Sequence, residues 1–215
     1  MKGVTFGNLH SYRDLKLIIG PKEIGAPSVK KNLVEIEGAD GFLDNTDFFG
    51  GPKYGEATHV FPFTAIVPRS DFLSHYSYVK NALHGQKLRI VLDDDPSFYY
   101  VGRCYVSKFT APNGVGIISV ECECEPYKYK TTQTVVTRAV DGVEVVTLTN
   151  ARKRAVPEVT ITTATSLNIV YQAYNVWDLG SGSYTLPELE LVEGENNVTV
   201  TGVGNITFAW QEAML

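Results

Sequence analysis

Residues 135–149 read Val-Val-Thr-Arg-Ala-Val-Asp-Gly-Val-Glu-Val-Val-Thr-Leu-Thr, two β-branched runs on either side of Asp141-Gly142. Val and Thr suit a pleated, half-buried surface, and Asp-Gly is the dipeptide that a two-residue type I′ turn favours. The pattern predicts a hairpin of strands 135–140 and 143–149. Toward the C-terminus, candidate strands follow at intervals near ten residues: 159–163, 167–171, 184–191, 197–201 and 205–210. Turn residues at Gly180-Ser181-Gly182, Glu193-Gly194-Glu195-Asn196 and Gly202-Val203-Gly204 separate them. Seven or eight short strands at this spacing predict a β-sandwich.

Toward the N-terminus the chain is again rich in strand residues, with one helix. Residues 11–19, 28–36 and 59–67 have strand composition. Residues 87–92, 99–109 and 115–124, joined by turns at 93–97 and 111–114, predict a meander. The helix spans about 71–84: Phe72, Tyr76, Val79 and Leu83 recur at steps of four, three and four, Ser70 is placed to cap it, and Gly85 stops it. Between 37 and 56 lies a long irregular stretch in which six residues are Gly or Pro and four are Asp or Asn. Loops of that length in a compact protein are functional or are ordered by a partner.

Composition divides the chain near residue 130. Residues 1–130 hold 15 Lys/Arg and 15 Asp/Glu, whereas residues 131–215 hold 4 and 9, so the net charge of -5 belongs to the second part. Threonine shifts too, from 5 to 14. Two domains, 1–130 and 131–215, are the reading. A mean hydropathy of -0.06 and the lack of an apolar run near the ~20 residues a bilayer demands exclude a transmembrane helix. The N-terminal residues Lys2-Gly3-Val4-Thr5-Phe6 show no signal-peptide core.

A search for chemistry returns no catalytic residue, no cofactor and no metal. There is no G-x-S-x-G, P-loop, dinucleotide fingerprint or H-E-x-x-H. Cys104, Cys122 and Cys124 are an odd set on strands, expected reduced, and C-x-C lacks the further ligands that zinc needs. Asp93-Asp94-Asp95 reads as a turn, and Glu121, Glu123 and Glu125 as a solvated strand face. Asp40, Asp44, Asn45 and Asp47 cluster without the spacing of a calcium loop. The lone basic run Arg152-Lys153-Arg154 argues against nucleic acid. Sugar contact through Trp177, Tyr184 or Trp210 is the alternative function, a lectin-like host-binding protein, set against the ordinary placement of aromatics in a core.

Read in order, the landmarks resemble the siphophage distal tail protein family, Dit. The matching stretches are Phe6-Gly7-Asn8-Leu9-His10-Ser11, Gly38-Ala39-Asp40-Gly41-Phe42-Leu43-Asp44, Ala82-Leu83-His84-Gly85-Gln86, Asp93-Asp94-Asp95 with Tyr99-Tyr100-Val101-Gly102-Arg103, Glu125-Pro126-Tyr127-Lys128, and Leu148-Thr149-Asn150 with Pro157. Two departures stand out: Ala39 where the family would have Arg, and Ala151-Arg152-Lys153 after Asn150 where it often has Gly. The resemblance implies a mainly β protein, an N-terminal β belt domain with one helix plus a C-terminal galectin-like β-sandwich. It also implies a non-enzymatic hub at the tail tip of a virion, assembled in the host cytoplasm. The belt would form a homo-hexameric ring joining the tail tube protein to the tail-associated tip protein and to receptor-binding proteins, with no nucleic-acid or membrane binding of its own. Inter-subunit contacts would then involve Gly38, Asp40, Gly41, Asp44, Phe48, Phe49 and Tyr54, with the surroundings of the helix.

Overall fold

The structure, a computed structural model, describes residues 2–48, 50–162 and 165–215. It is mainly β with one α-helix, and it divides into two compact units, residues 1–128 with Leu215 and residues 129–214.

In unit 1, β1 (Val4–Phe6), β2 (Leu9–His10), β3 (Leu17–Ile19), β4 (Glu23–Ile24), β5 (Val29–Lys30), β6 (Leu33–Glu35), β7 (Phe42–Asp44), β8 (Lys53–Tyr54) and β9 (Ala57–Ala65) precede α1 (Phe72–Leu83). After it come β10 (Lys87–Leu92), β11 (Phe98–Thr110) and β12 (Ile117–Cys124). The main sheet runs β2-β1-β10-β11-β12-β9-β3, and β4 also pairs with β9. The predicted meander is present as β10-β11-β12, all antiparallel. Alternation puts Phe61, Phe63, Ile118, Val120 and Cys122 inside, where Phe6 meets both phenylalanines edge to face. Residues 11–15 are turn rather than strand, because the Asp14 carboxylate and the His10 carbonyl and imidazole capture the local amides.

The helix buries Phe72, Val79 and Leu83, each worth about 1.5–3 kcal/mol. Ser70 does not cap it. A single 3-10 turn at Arg69–Asp71 leads in, Asp71 is the N-cap residue, and the Ser70 hydroxyl bonds the Asp71 carboxylate. His84 leaves in extended conformation and Gly85 follows at φ 79°.

Unit 2 contains β13 (Lys128–Lys130, entering from unit 1), β14 (Thr134–Asn150), β15 (Glu158–Thr162), β16 (Leu167–Tyr171), β17 (Tyr174–Leu179), β18 (Gly182–Thr185), β19 (Gly194–Trp210) and β20 (Ala213–Met214). The expected end of a strand at Thr163 lies outside the described residues. The Asp141-Gly142 hairpin is overturned. Residues 134–150 form one seventeen-residue strand, paired antiparallel along its whole length with β19. The turn expected at residues 202–204 is likewise interior to β19. Gly142 (φ 94°) lies opposite Gly202 (φ 135°), so both glycines serve a bend in a continuous ribbon. β16 pairs with β19 before the bend, at residues 199–201, and β15 pairs with it after the bend, at residues 205–209.

Even-numbered residues point inward on both sides of the bend: Val140, Val146 and Leu148 on β14, and Val198, Val200, Ile206, Phe208 and Trp210 on β19. Residues from both arms share one core cluster with Val159, Ile161, Leu167 and Ile169, so the ribbon folds back over its own inner face. The sandwich is therefore one curled ladder, its corner made by two long strands. The expected strand 184–191 is short, ending at Thr185. Leu186, Leu189 and Leu191 cap the core from a loop held by buried Asn196, which bonds the Val192 amide and carbonyl, the Leu148 carbonyl and the Tyr171 hydroxyl.

Candidate assembly site

Between residues 21 and 56 none of the described residues is buried. The stretch leaves the sheet at β4, which pairs with β9, and returns just before β9. In between it is a two-stranded ribbon. Val29 and Lys30 pair with Tyr54 and Lys53, and Leu33, Val34 and Glu35 pair with Asp44, Leu43 and Phe42. Asn45 donates its amide to the Asn32 carbonyl at 2.8 Å, so the ladder continues past β7. Gly38 and Gly41, at φ 82° and 81°, turn the tip. The long irregular stretch expected from Gly, Pro and Asp content is thus half of an ordered hairpin arm.

The arm is apolar and open on both faces. Phe42 is 66% exposed and Phe48 76%, and Leu33, Val34, Ile36 and Leu43 are exposed beside them. An isolated two-stranded hairpin is marginal in water, and a contiguous apolar surface of this kind marks an interaction site. Of the expected contact residues, Gly38, Asp40 and Gly41 lie at the tip, Phe48 in the following turn and Tyr54 at the root; Phe49 lies outside the described residues. Asp44 is committed locally: its carboxylate accepts the Thr46 amide at 2.9 Å, and bonding to Thr46 holds its pKa below the usual carboxylate value. At the root a pocket of about 350 Å³ is lined by Ile24, Pro27, Tyr54, His59 and Tyr100 among others. His59 is buried with neither ring nitrogen hydrogen-bonded, packs 4.5 Å from the Tyr100 ring, and burial lowers its pKa.

The Asp triplet has a structural task that turn composition did not reveal. Asp93 accepts His10 Nε2 at 3.0 Å and the Gly3 amide at 2.8 Å, Asp94 pairs with Lys2 and Lys22, and Asp95 pairs with Lys128. Hydrogen bonds from Lys2 and then Lys22 pull Asp94 down to about 2. One turn fastens the N-terminal strand, the root of the arm and the end of the sheet. His10 and Asp93 lie close to Ser11, but His10 Nδ1 already accepts the amides of Tyr12 and Arg13, and the buried Ser11 hydroxyl accepts the Val4 amide. That arrangement locks a turn and leaves no base for a nucleophile.

The thiols are packing groups. Cys104 and Cys122 are cross-strand partners with sulfurs 3.3 Å apart, and both are buried, as is Cys124. The hydrogen bond to Cys104 and burial push Cys122 up, and burial pushes Cys124 up to about 12. The aromatic trio is separated. Trp210 is 2% exposed in the core, which removes it from surface stacking. Trp177 is exposed on β17 and Tyr184 is half-buried on β18, at opposite ends of the strand order, with the Tyr184 hydroxyl donating to the Gly180 carbonyl. Arg152 and Arg154 pair with Glu193 and Glu190, and the Lys153 ammonium donates to the Tyr129 hydroxyl at 2.8 Å, so the run is engaged within the chain.

No family model matches the chain, and no curated protein matches it. Among solved structures, the crystal structure of the SPP1 Dit protein, described as a paradigm of the hub adsorption apparatus of phages infecting Gram-positive bacteria, matches over 100% of both chains with a TM-score of 0.74 at 14% identity. The chain has the Dit fold. The phage p2 baseplate in its activated conformation with Sr also matches, over 99% of this chain and 98% of that one, at 7% identity and a TM-score of 0.40. In this chain the Gly38–Asp44 stretch falls at the arm tip and Asp93–Arg103 at the β10–β11 turn and the start of β11.

Proposed function

We propose that the protein is a non-enzymatic structural hub of a phage tail tip, whose unit 1 assembles into a homo-hexameric ring joining the tail tube to the tip protein and the receptor-binding machinery. The observation that carries this reading is the end-to-end likeness to a hub protein's fold in a chain that extends an uncovered apolar arm. A cyclic ring is built from heterologous contacts, so each protomer must present two unlike, complementary patches. The arm with Phe42 and Phe48 is one, and the pocket at its root, walled by Ile24, Pro27 and Tyr100, is suited to be the other. Gly38, Asp40, Gly41, Asp44, Phe48, Phe49 and Tyr54 are the proposed inter-subunit residues. The charge-balanced sequence of 1–130 limits self-repulsion between close-packed copies.

The test is native mass spectrometry of the purified chain alone and with the tail tube protein. Six copies, lost in Phe42→Ser without loss of folded protein, support the ring. A Phe42→Ser variant that assembles like the parent removes the arm from the mechanism.

A further inference from the structure

The longest strand of unit 2 is open along one side. β14 pairs with β19 over all seventeen residues and, among the described residues, with no other strand. Its outer face carries Val135, Val143 and Val145, each more than half exposed. Natural edge strands are kept short or guarded by Pro and Lys, because a row of free amides and carbonyls is a template for another chain. β14 contains neither Pro nor Lys. Its only charges are Arg138, Asp141 and Glu144.

We propose that the open flank of β14 pairs antiparallel with the β14 of a second copy, centred on Gly142. Gly142 is the midpoint of residues 134–150, so this register brings the two bends together and lets both ribbons curl in the same sense. Offset registers separate the bends, or, when centred on Asp141, set the two Asp141 carboxylates face to face. In the centred register Thr137 lies opposite Thr147, Ala139 opposite Val145, Asp141 opposite Val143 and Glu144 opposite Val140 of the other copy. Arg138, opposite Val146, then has the other copy's Glu144 as its diagonal neighbour on the same face, within reach of long side chains. The charges that would guard a solitary edge become two reciprocal ion pairs. The two Asp141 side chains sit diagonal on the solvent side, and salt screens their repulsion along with the attraction of the two ion pairs. The contact is two-fold and lies in unit 2, so it is separate from the six-fold contact proposed for unit 1 and pairs free chains or whole rings.

Cysteine trapping reads the register directly. Thr137 and Thr147 are exposed on the outer face, and the native thiols are buried. In the full chain carrying Thr137→Cys and Thr147→Cys, oxidised glutathione takes up two electrons and two protons as each new pair of thiols closes a disulfide. The expected result is a covalent dimer holding most of the protein on a non-reducing gel, with little in either single variant and little in Thr137→Cys with Val145→Cys, which reports the register centred on Asp141. Light scattering of the unsubstituted chain should give an even number of copies. A double variant that cross-links no better than the single ones, or an unsubstituted chain that is wholly monomeric, overturns the proposal. Capture of β14 by a strand from a different protein would appear as the first of these results.

Discussion

Replacing Gly202 by Ala tests whether the curled ribbon is built as described. Gly202 (φ 135°) and Gly142 (φ 94°) face each other at the bend. Both hold conformations that L-residues avoid, at a cost of about 1–2 kcal/mol for a side chain. Their surroundings differ. A β-carbon at 202 would stand 2.6 Å from Leu167 Cδ2, 2.9 Å from the Ser166 carbonyl oxygen and 3.4 Å from Leu167 Cα, whereas one at 142 would meet nothing within 4 Å. Leu167 is fully buried, so its side chain has little room to retreat, and the Ser166 oxygen is backbone. Overpacking of that kind adds about 1–3 kcal/mol. Gly142→Ala should therefore cost about 1–2 kcal/mol and Gly202→Ala about 2–5. In a unit of this size 1 kcal/mol moves Tm by roughly 4–8 °C, so the added 1–3 kcal/mol should make Gly202→Ala melt roughly 4–24 °C below Gly142→Ala. Differential scanning calorimetry of both variants measures the gap. Equal melting of the two, or a Gly202→Ala protein as stable as the parent, would refute the bend.

Three further outcomes are expected. Burial sets the His59 pKa below its ordinary value of 6.5, so the folded protein binds fewer protons than the unfolded chain, and stability contributed by neutral His59 above pH 6.5 declines as pH falls toward the folded pKa. Urea titrations from pH 7 to 5 should show a shallower acid loss in His59→Leu; identical pH slopes would contradict this. The three thiols should resist an aromatic disulfide reagent in the native protein and react together in denaturant, since all are buried and Cys124 is raised to about 12; prompt labelling of one native thiol would show that the cross-strand packing is wrong. Phe42→Ser should leave the unfolding free energy of the unassembled chain within about 0.5 kcal/mol of the parent in urea titrations, because the phenyl ring is exposed there, and a large loss of stability would mean that the arm packs on its own subunit.

The parts of the fold legible in sequence are those set by local patterns. Phe72, Tyr76, Val79 and Leu83 predict the helix because their spacing is the helix period, and β10-β11-β12 follow from short runs bounded by strong turns. Asp141-Gly142 misleads because a tight turn and a bent strand ask the same thing of a glycine, a positive φ. What separates them is Gly202, sixty residues away, across the ladder. The outgoing half of the arm reads as strand at 28–36, where β5 and β6 lie, but the returning half reads only as turn-rich sequence, since short ladders such as β7 and β8 leave no periodicity to read. The arm's exposure is a tertiary fact: among the described residues β5-β8 and β6-β7 are two-stranded ladders, with no further strand beside them. Likewise the Asp triplet looks like any turn until Lys2, Lys22, Lys128 and His10 arrive from distant positions.

The claim that the chain is a tail-tip hub is tested most directly by cryo-electron microscopy of the virion's tail tip, with this chain located by a bound antibody fragment. The account predicts six copies in a closed ring at the junction of tube and tip, each with the 21–56 arm seated on its neighbour. Label elsewhere on the particle, or a junction whose symmetry cannot be built from six copies of this chain, contradicts it.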